Sequence, residues 1–114
     1  MMTLNDFKAA RRTLDGVLHP TDLIYSPFLT RASGNQVYLK PENMQVTGAY
    51  KIRGAYFKCS TLSDEEKARG LVTASAGNHA QGVAYAARAA GVAATIVMPT
   101  TTPLVKVNNT KDYG

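Results

Sequence analysis

Apolar and polar residues recur along the chain with two different spacings. Over residues 3–15 an apolar side chain returns every three or four positions, which is typical of an amphipathic helix. The apolar positions of this helix are Leu4, Phe7, Ala10 and Leu14. Three shorter runs are rich in apolar and β-branched residues and predict strands: VYLK at 37–40, LVTAS at 71–75 and AATIVMP at 93–99.

Start and stop signals predict four more helices. Their expected ranges are 51–61, 63–69, 78–90 and 102–111. Ser63 and Glu66 have the spacing of a capping box, and Gly91 stands where a left-handed helix end is expected. Thr102 and Pro103 suit the cap and first turn of the last helix. The stretch 19–35, punctuated by prolines and a Gly-Asn pair, predicts irregular chain.

The order of these elements predicts the fold class. From residue 71 onward strand, helix, strand and helix follow one another with short connections. Because the strands lack polar alternation, this order favours an α/β fold, a parallel sheet with helices on both faces. Three strands are fewer than the roughly 4–6 usual in a sheet. The chain is therefore expected to be either a small complete domain or the amino-terminal part of a longer protein.

Composition narrows the class of protein. With 114 residues, 45% hydrophobic and 18% charged, the chain fits one globular domain. Its net charge is +5, and the basic residues are spread along the chain from Lys8 to Lys111. This distribution argues against nucleic acid as a partner and suits a small anionic ligand. Cys59 is the single cysteine, and the spacing of His19 and His79 predicts no metal site. Neither a secretory signal nor an apolar run of membrane length is found, so we expect a cytoplasmic protein without a membrane partner.

The loop SAGNH at 75–79 is the first candidate site, since it follows a predicted strand and opens a predicted helix. In open α/β sheets ligands bind at the carboxyl ends of the strands, and a helix start offers free N–H groups to an anion. The small residues Ala76 and Gly77 would let a ligand approach the backbone closely. Asn78 would either cap the helix or hydrogen-bond the ligand. The alternative is an ordinary turn that only caps the helix.

Lys51 is the second candidate. It stands in the first turn of a predicted helix, where the positive end of the helix dipole disfavours the cationic amine by roughly 0.3–1 kcal/mol. A neutral lysine amine is a nucleophile toward carbonyl groups. The alternative is a solvated surface lysine, and the position of Lys51 alone leaves both interpretations open.

Three longer blocks resemble the serine/threonine dehydratases, pyridoxal-phosphate enzymes of the tryptophan-synthase-β fold family (fold type II). The blocks are KPENMQVTGAYKIRGA at 40–55, ASAGNHAQGVAYAARAAGV at 74–92 and IVMPTTTPLVKV at 96–107. They keep the order and approximate spacing of that family. The SAGNHAQGVA run is most similar to threonine dehydratase, whereas the related serine racemases usually have a Ser-Ser-Gly form.

The resemblance implies roles for particular residues. Lys51 would be the lysine that binds pyridoxal 5'-phosphate covalently and then moves protons, and Asn78 would hydrogen-bond the phenolic oxygen of the cofactor ring. The loop Ser75 to His79 would bind the substrate carboxylate. Tyr50 would lie beside the cofactor ring, where the family usually has phenylalanine, and Ala49 replaces the family's common serine.

The implied reaction is the dehydration and deamination of L-threonine or L-serine to 2-oxobutanoate or pyruvate and ammonia. Whether it serves isoleucine biosynthesis or threonine degradation stays open. Family members are about three times longer, so the resemblance also implies that residues 1–114 are an amino-terminal fragment that is inactive alone. Residues 1–45 would belong to the larger subdomain and residues 46–114 to the start of the smaller one. Because a fragment would expose apolar surface, self-association is expected.

Overall fold

The structure, a computed structural model, describes all 114 residues. It contains six α-helices, four strands and one 3-10 turn. The helices are α1 (Leu4–Leu14), α2 (Pro27–Ser33), α3 (Lys51–Ser60), α4 (Asp64–Ala68), α5 (Asn78–Ala90) and α6 (Leu104–Tyr113). The strands are β1 (Ile24–Tyr25), β2 (Tyr38–Leu39), β3 (Leu71–Ala74) and β4 (Ala94–Val97), and the 3-10 turn is Glu42–Met44.

Most of the predicted elements are present, with their expected ends. The Ser63 hydroxyl accepts from the backbone N–H of Glu66 at 3.2 Å, and the Glu66 carboxylate accepts from the N–H of Ser63 at 2.8 Å. Gly91 ends α5 with a φ of 65°. The last helix starts at Leu104 rather than at Thr102, and its cap residue is Pro103. The Thr102 hydroxyl donates to the carbonyl of Pro99 at 2.7 Å instead of capping the helix.

The expectation of irregular chain over 19–35 was wrong, because this stretch contains β1 and α2. The Ser26 hydroxyl accepts from the N–H of Leu29 at 3.3 Å, and Pro27 occupies the first helical position. Gly34 ends the helix in the left-handed region with a φ of 70°. These start and stop signals enclose only seven residues, too few for an apolar period to show.

The four strands form two separate pairs. β3 and β4 are parallel, with Leu71 opposite Ala94 and Ala74 opposite Val97. β2 pairs instead with β1 in an antiparallel ribbon, so the strand predicted at 37–40 does not belong to the parallel sheet. The predicted α/β class with a parallel sheet is confirmed.

The helix that packs on the β3–β4 pair is α5, which covers one face. Val72 and Val97 on the opposite face are 77% and 55% exposed. Helices were expected on both faces, but none of the helices of this chain covers this second face. The strands nevertheless alternate between half-buried and exposed positions, as strands with one covered face do.

The buried core lies between α3 and α5. Ala80, Ala84 and Ala87 of α5 are almost fully buried, and Ile52 of α3 is fully buried. A side chain at Gly82 would be crowded, because its Cβ atom would lie 3.3 Å from the Cα of Ile52. Alanine and glycine on one face of α5 thus allow α3 to approach its backbone closely.

Residues 1–44 bury little by comparison, since Leu18 and Thr21 are the only buried residues there. Large apolar side chains are exposed along this part of the chain, including Phe7, Leu23, Ile24, Phe28 and Tyr38. No helix combines the length and the apolar character required to span a membrane.

Candidate cofactor and substrate site

The first turns of α3 and α5 lie at the same end of the molecule. Near its start, α3 contacts α5 through Ile52 and Gly82. Further along both helices the thiol of Cys59 in α3 lies 3.6 Å from the carbonyl oxygen of Ala86 in α5. Both helices therefore run in the same direction. Because α5 begins where β3 ends, Lys51 and the SAGNH loop share the carboxyl edge of the parallel pair.

The SAGNH loop is organised around Ser75. Its backbone N–H donates to the carbonyl of Val97 at 3.0 Å, which fixes the residue at the end of the sheet. Its hydroxyl accepts from the N–H groups of Gly77 and Ala80, both at 3.3 Å. Ser75, rather than Asn78, thus supplies the side-chain acceptor at this helix start, and the cap residue itself is Gly77.

Asn78 is the first helical residue and is exposed. Of the two alternatives for its side chain, capping the helix is the one that the structure does not show, since no side-chain cap hydrogen bond is formed there. The backbone N–H groups of Asn78 and His79 have no acceptor within the protein. Two N–H groups and one side-chain amide are thus available to an external acceptor at the positive end of α5.

His79 is exposed at the rim of a cavity of about 240 Å³, whose lining includes Cys59, Thr73 and Val83. Burial raises the pKa of the Cys59 thiol, which keeps this cysteine in its neutral form. Ala76 and Gly77 are half-buried. The loop is thus half-buried at Ala76 and Gly77 and exposed at Asn78 and His79.

Lys51 is the first residue of α3 and is exposed. Its Nζ lies 5.2 Å from the centroid of the Tyr50 ring, within range of a cation–π contact. It takes part in none of the ion pairs of the structure. Tyr50 is 59% exposed, whereas Ala49 is buried. The amine is therefore accessible and not occupied by an acidic partner.

These groups suit a ligand that combines a carbonyl group, a phenolic oxygen and a carboxylate. An accessible amine can bond to a carbonyl carbon, a side-chain amide can hydrogen-bond a ring oxygen, and helix-start N–H groups can bind a carboxylate. Pyridoxal phosphate together with an amino acid has this set of groups. The residues present therefore fit the carbonyl group and the phenolic oxygen of the cofactor.

A second polar cluster, to which the sequence assigned no role, lies beside the start of α3. We call it the Glu42 cluster, formed by Thr21, Lys40, Glu42 and Arg53. Two guanidinium nitrogens of Arg53 donate to the two carboxylate oxygens of Glu42, at 2.9 and 2.7 Å. This Arg53 guanidinium holds the pKa of Glu42 below its usual value of 4.5. The sequence indicates this cluster only through the block Lys-Pro-Glu-Asn at 40–43, because Thr21 and Arg53, the partners of Glu42, are distant from it in sequence.

A larger cavity lies elsewhere in the structure. It measures about 870 Å³ and lies between α1 and α3, where its lining includes Phe7, Leu14, His19 and Phe57. None of the predicted site residues lines it. Cavity size therefore does not identify the candidate site, which is defined by unpaired polar groups.

Comparison with known proteins places the chain among enzymes. The sequence model described as "Pyridoxal-phosphate dependent enzyme" matches residues 14–114. The chain is 56% identical over 114 residues to the L-threonine ammonia-lyase of Thermotoga maritima, covering 100% of this chain and 28% of that protein. It thus spans less than a third of that relative's length.

Solved structures agree in fold. A threonine deaminase from T.th. superimposes with a TM-score of 0.86 at 42% identity, over 99% of this chain and 35% of that one. The serine racemase of Dictyostelium discoideum superimposes with a TM-score of 0.93 at 36% identity, over 99% of this chain and 37% of that one. The expected cofactor and fold type are therefore confirmed at the level of the family. With its sequence matched from residue 14 to residue 114, the chain belongs to the pyridoxal-phosphate dependent enzymes.

Proposed function

We propose that this chain carries the lysine-bearing part of a pyridoxal-phosphate dependent ammonia-lyase that converts L-threonine, and L-serine, to 2-oxobutanoate or pyruvate and ammonia. The observation that carries the proposal is the accessible, unpaired amine of Lys51 at the same end of the molecule as the free N–H groups of the SAGNH loop. The 56% identity to a threonine ammonia-lyase supports the choice of substrate.

Each site residue has a role in this proposal. The Lys51 amine would hold the cofactor and, once released from it, would accept the substrate α-proton at Nζ, a proton that leaves with the β-hydroxyl as water. Tyr50 would lie beside the cofactor ring. Asn78 hydrogen-bonds the ring oxygen, and the backbone from Ser75 to His79 binds the substrate carboxylate. When bound, pyridoxal phosphate supplies the electron sink for the charge left on the substrate α-carbon.

The proposal extends to organisation and location. Residues 1–45 would form a segment of a larger subdomain and residues 46–114 the beginning of a smaller one. Exposed apolar residues such as Phe28, Val72 and Leu104 favour self-association of this chain, or an oligomer of the whole enzyme. A cytoplasmic location and a role in isoleucine biosynthesis are part of the proposal and depend on the resemblance alone.

The test is covalent labelling of the full chain. Pyridoxal phosphate is added, the visible spectrum is recorded, the sample is reduced with borohydride, and the modified lysines are mapped by mass spectrometry. Lys58 provides the internal reference, because it is an exposed lysine on the same helix. We expect label mainly on Lys51, and loss of the visible band in Lys51→Ala. Label spread evenly over Lys51, Lys58 and the other exposed lysines would overturn the proposal.

Racemisation of serine is the second candidate, favoured by the TM-score of 0.93 to a serine racemase. Both reactions begin with removal of the α-proton, so the same lysine serves either one. Because residues 1–114 are expected to be inactive alone, the assay that separates the two reactions measures pyruvate and D-serine formed from L-serine by an enzyme that contains this chain. A non-catalytic anion-binding module, the third possibility, requires no preference for Lys51 in the labelling.

A further inference from the structure

The first turn of α3 is held from two sides. Ile52 is fully buried against Gly82 of α5. Arg53, the next residue, binds Glu42 with two guanidinium nitrogens at 2.9 and 2.7 Å. Successive residues of an α-helix point about 100° apart, because a turn contains 3.6 residues. Anchoring Ile52 and Arg53 in two directions therefore fixes the direction in which Lys51 leaves the helix.

The Arg53 anchor is itself fixed by the rest of the Glu42 cluster. The Thr21 hydroxyl lies 2.7 Å from Glu42 Oε1 and accepts from Arg53 at 2.9 Å. Lys40 Nζ donates to the carbonyl of Thr21 at 2.7 Å and to that of Pro20 at 2.9 Å. A planar guanidinium facing a carboxylate in this paired geometry defines orientation as well as distance.

Backbone conformation points to the same cluster. Thr21 has a φ of 48°, in the left-handed region that a β-branched residue rarely adopts. Such a conformation persists where the surroundings over-determine it, and it is common near functional sites. The surroundings of Thr21 are the side chains of Glu42, Arg53 and Lys40.

The adjacent segment is tied down as well. The side-chain amide of Gln45 is buried and binds both backbone groups of His19: its oxygen accepts at 3.0 Å and its nitrogen donates at 2.8 Å. Residues 19–21 are thus held against residues 40–45 independently of the helix. Arg53 links this platform to α3, chiefly through its two hydrogen bonds to Glu42 and also through the Thr21 hydroxyl.

We propose that Glu42 and Arg53 are positioning residues, which orient the first turn of α3 so that the Lys51 amine projects toward the start of α5. The role assigned to Lys51 rests on the proposed function, whereas the clamp on the helix turn does not. Neither Glu42 nor Arg53 touches the reacting atoms in this scheme.

Hydrogen exchange on the full chain tests the clamp without any cofactor. Glu42→Gln removes the carboxylate charge, and Arg53→Lys keeps a cation but loses the fork-shaped donor. In Glu42→Gln we expect amide exchange at residues 53–55 to become about tenfold faster, while amides at 84–87 in α5 keep their rates. Arg53→Lys should give a smaller effect in the same segment. Glu66→Gln, which removes the same charge at the capping box of α4, serves as the control and should leave the exchange rates at residues 53–55 unchanged.

Unchanged exchange at residues 53–55 in both variants would overturn the proposal. An equal acceleration at 84–87 in Arg53→Lys, the milder variant, would also overturn it, because the pair would then stabilise the whole fold and not the turn. Labelling with pyridoxal phosphate gives the second readout: the ratio of label on Lys51 to label on Lys58 should fall toward one in Glu42→Gln. If the unmodified protein already shows a ratio of one, the proposed function fails while the exchange data still decide on the clamp.

Discussion

Gly82 of α5 and Ile52 of α3 are in such close contact that a side chain at position 82 would press on the backbone of Ile52. A Cβ atom at position 82 would lie 3.3 Å from both the Cα and the N atom of Ile52, and 3.4 Å from the Cβ of Ala55. Ile52 follows Lys51 directly, and Gly82 lies one turn after Asn78. This contact therefore sets the separation of the two helix starts that form the candidate site.

Gly82→Ala is expected to destabilise the protein. The methyl group would press on the backbone of a buried residue, and overpacking of this kind costs about 1–3 kcal/mol. The higher helix propensity of alanine returns up to about 1 kcal/mol. We therefore expect a lower free energy of unfolding in urea, together with weaker pyridoxal phosphate labelling of Lys51.

Gly54→Ala is the matched control. Gly54 is also a helical glycine, but it is exposed and no atom lies within 4 Å of the position of its Cβ. Alanine there should stabilise the protein by about 0.5–1 kcal/mol. Equal stabilisation by Gly82→Ala and Gly54→Ala would show that α3 and α5 have room to separate.

Local sequence signals were enough to predict α5, because its alanine-rich run ends at Gly91. They were also enough to predict α4, because Ser63 and Glu66 form a reciprocal cap at its start. They did not suffice for β2. Tyr38 pairs with Tyr25, and nothing in a two-residue strand indicates whether its partner is parallel or antiparallel. Strand pairing is a relationship between distant residues, so a local pattern does not reveal it.

The candidate site shows the same division. The sequence blocks predict the chemistry of Lys51 and Asn78, which stays a prediction, but the shared location of the two residues depends on the packing of α3 on α5. The Glu42–Arg53 pair joins residues 11 positions apart across a 3-10 turn and a loop, and no periodic pattern covers that spacing. Ser75 is predicted to bind the substrate, and that role stays a prediction; what the structure shows is that its hydroxyl organises the loop.

Ser75→Ala should therefore act on both stability and the site. Losing the acceptor for the Gly77 and Ala80 N–H groups should cost about 0.5–2 kcal/mol, as expected for a helix cap. The loop should also lose its fixed geometry next to Asn78. We expect a lower melting temperature. We also expect a smaller rise in melting temperature when a small carboxylate such as acetate or L-serine is added.

Ser63→Ala is a chemically identical change at the cap of α4. It should cost a similar amount of stability and leave carboxylate binding unaltered. If both variants respond to L-serine like the parent, the loop from Ser75 to His79 does not bind the carboxylate.

Acid should weaken the Glu42–Arg53 pair in a predictable direction. The pKa of Glu42 is lowered in the folded protein, chiefly by Arg53, from its usual value of 4.5. A depressed carboxyl pKa contributes stability that is present above pH 4.5 and is lost as the pH falls through the folded pKa. In Glu42→Gln this contribution is absent at every pH. The difference in unfolding free energy between the parent and Glu42→Gln should thus be largest near neutral pH and shrink below pH 4.5. A difference that stays constant from neutral pH down to strongly acidic pH would contradict the assignment.

The uncovered face of the β3–β4 pair leads to the last prediction. Val72 and Val97 lie on this face and are 77% and 55% exposed, beside strands with unpaired outer edges. Apolar faces and free strand edges promote association. We expect the sedimentation coefficient of the chain to rise with concentration, and to rise less in the double variant Val72→Thr/Val97→Thr, because threonine keeps the β-branched shape while adding a hydroxyl. Val105→Thr, a similar change at an exposed valine of α6, should leave the association of the parent unaltered. A parent chain that sediments as a compact monomer at every concentration would exclude this face as a contact between copies.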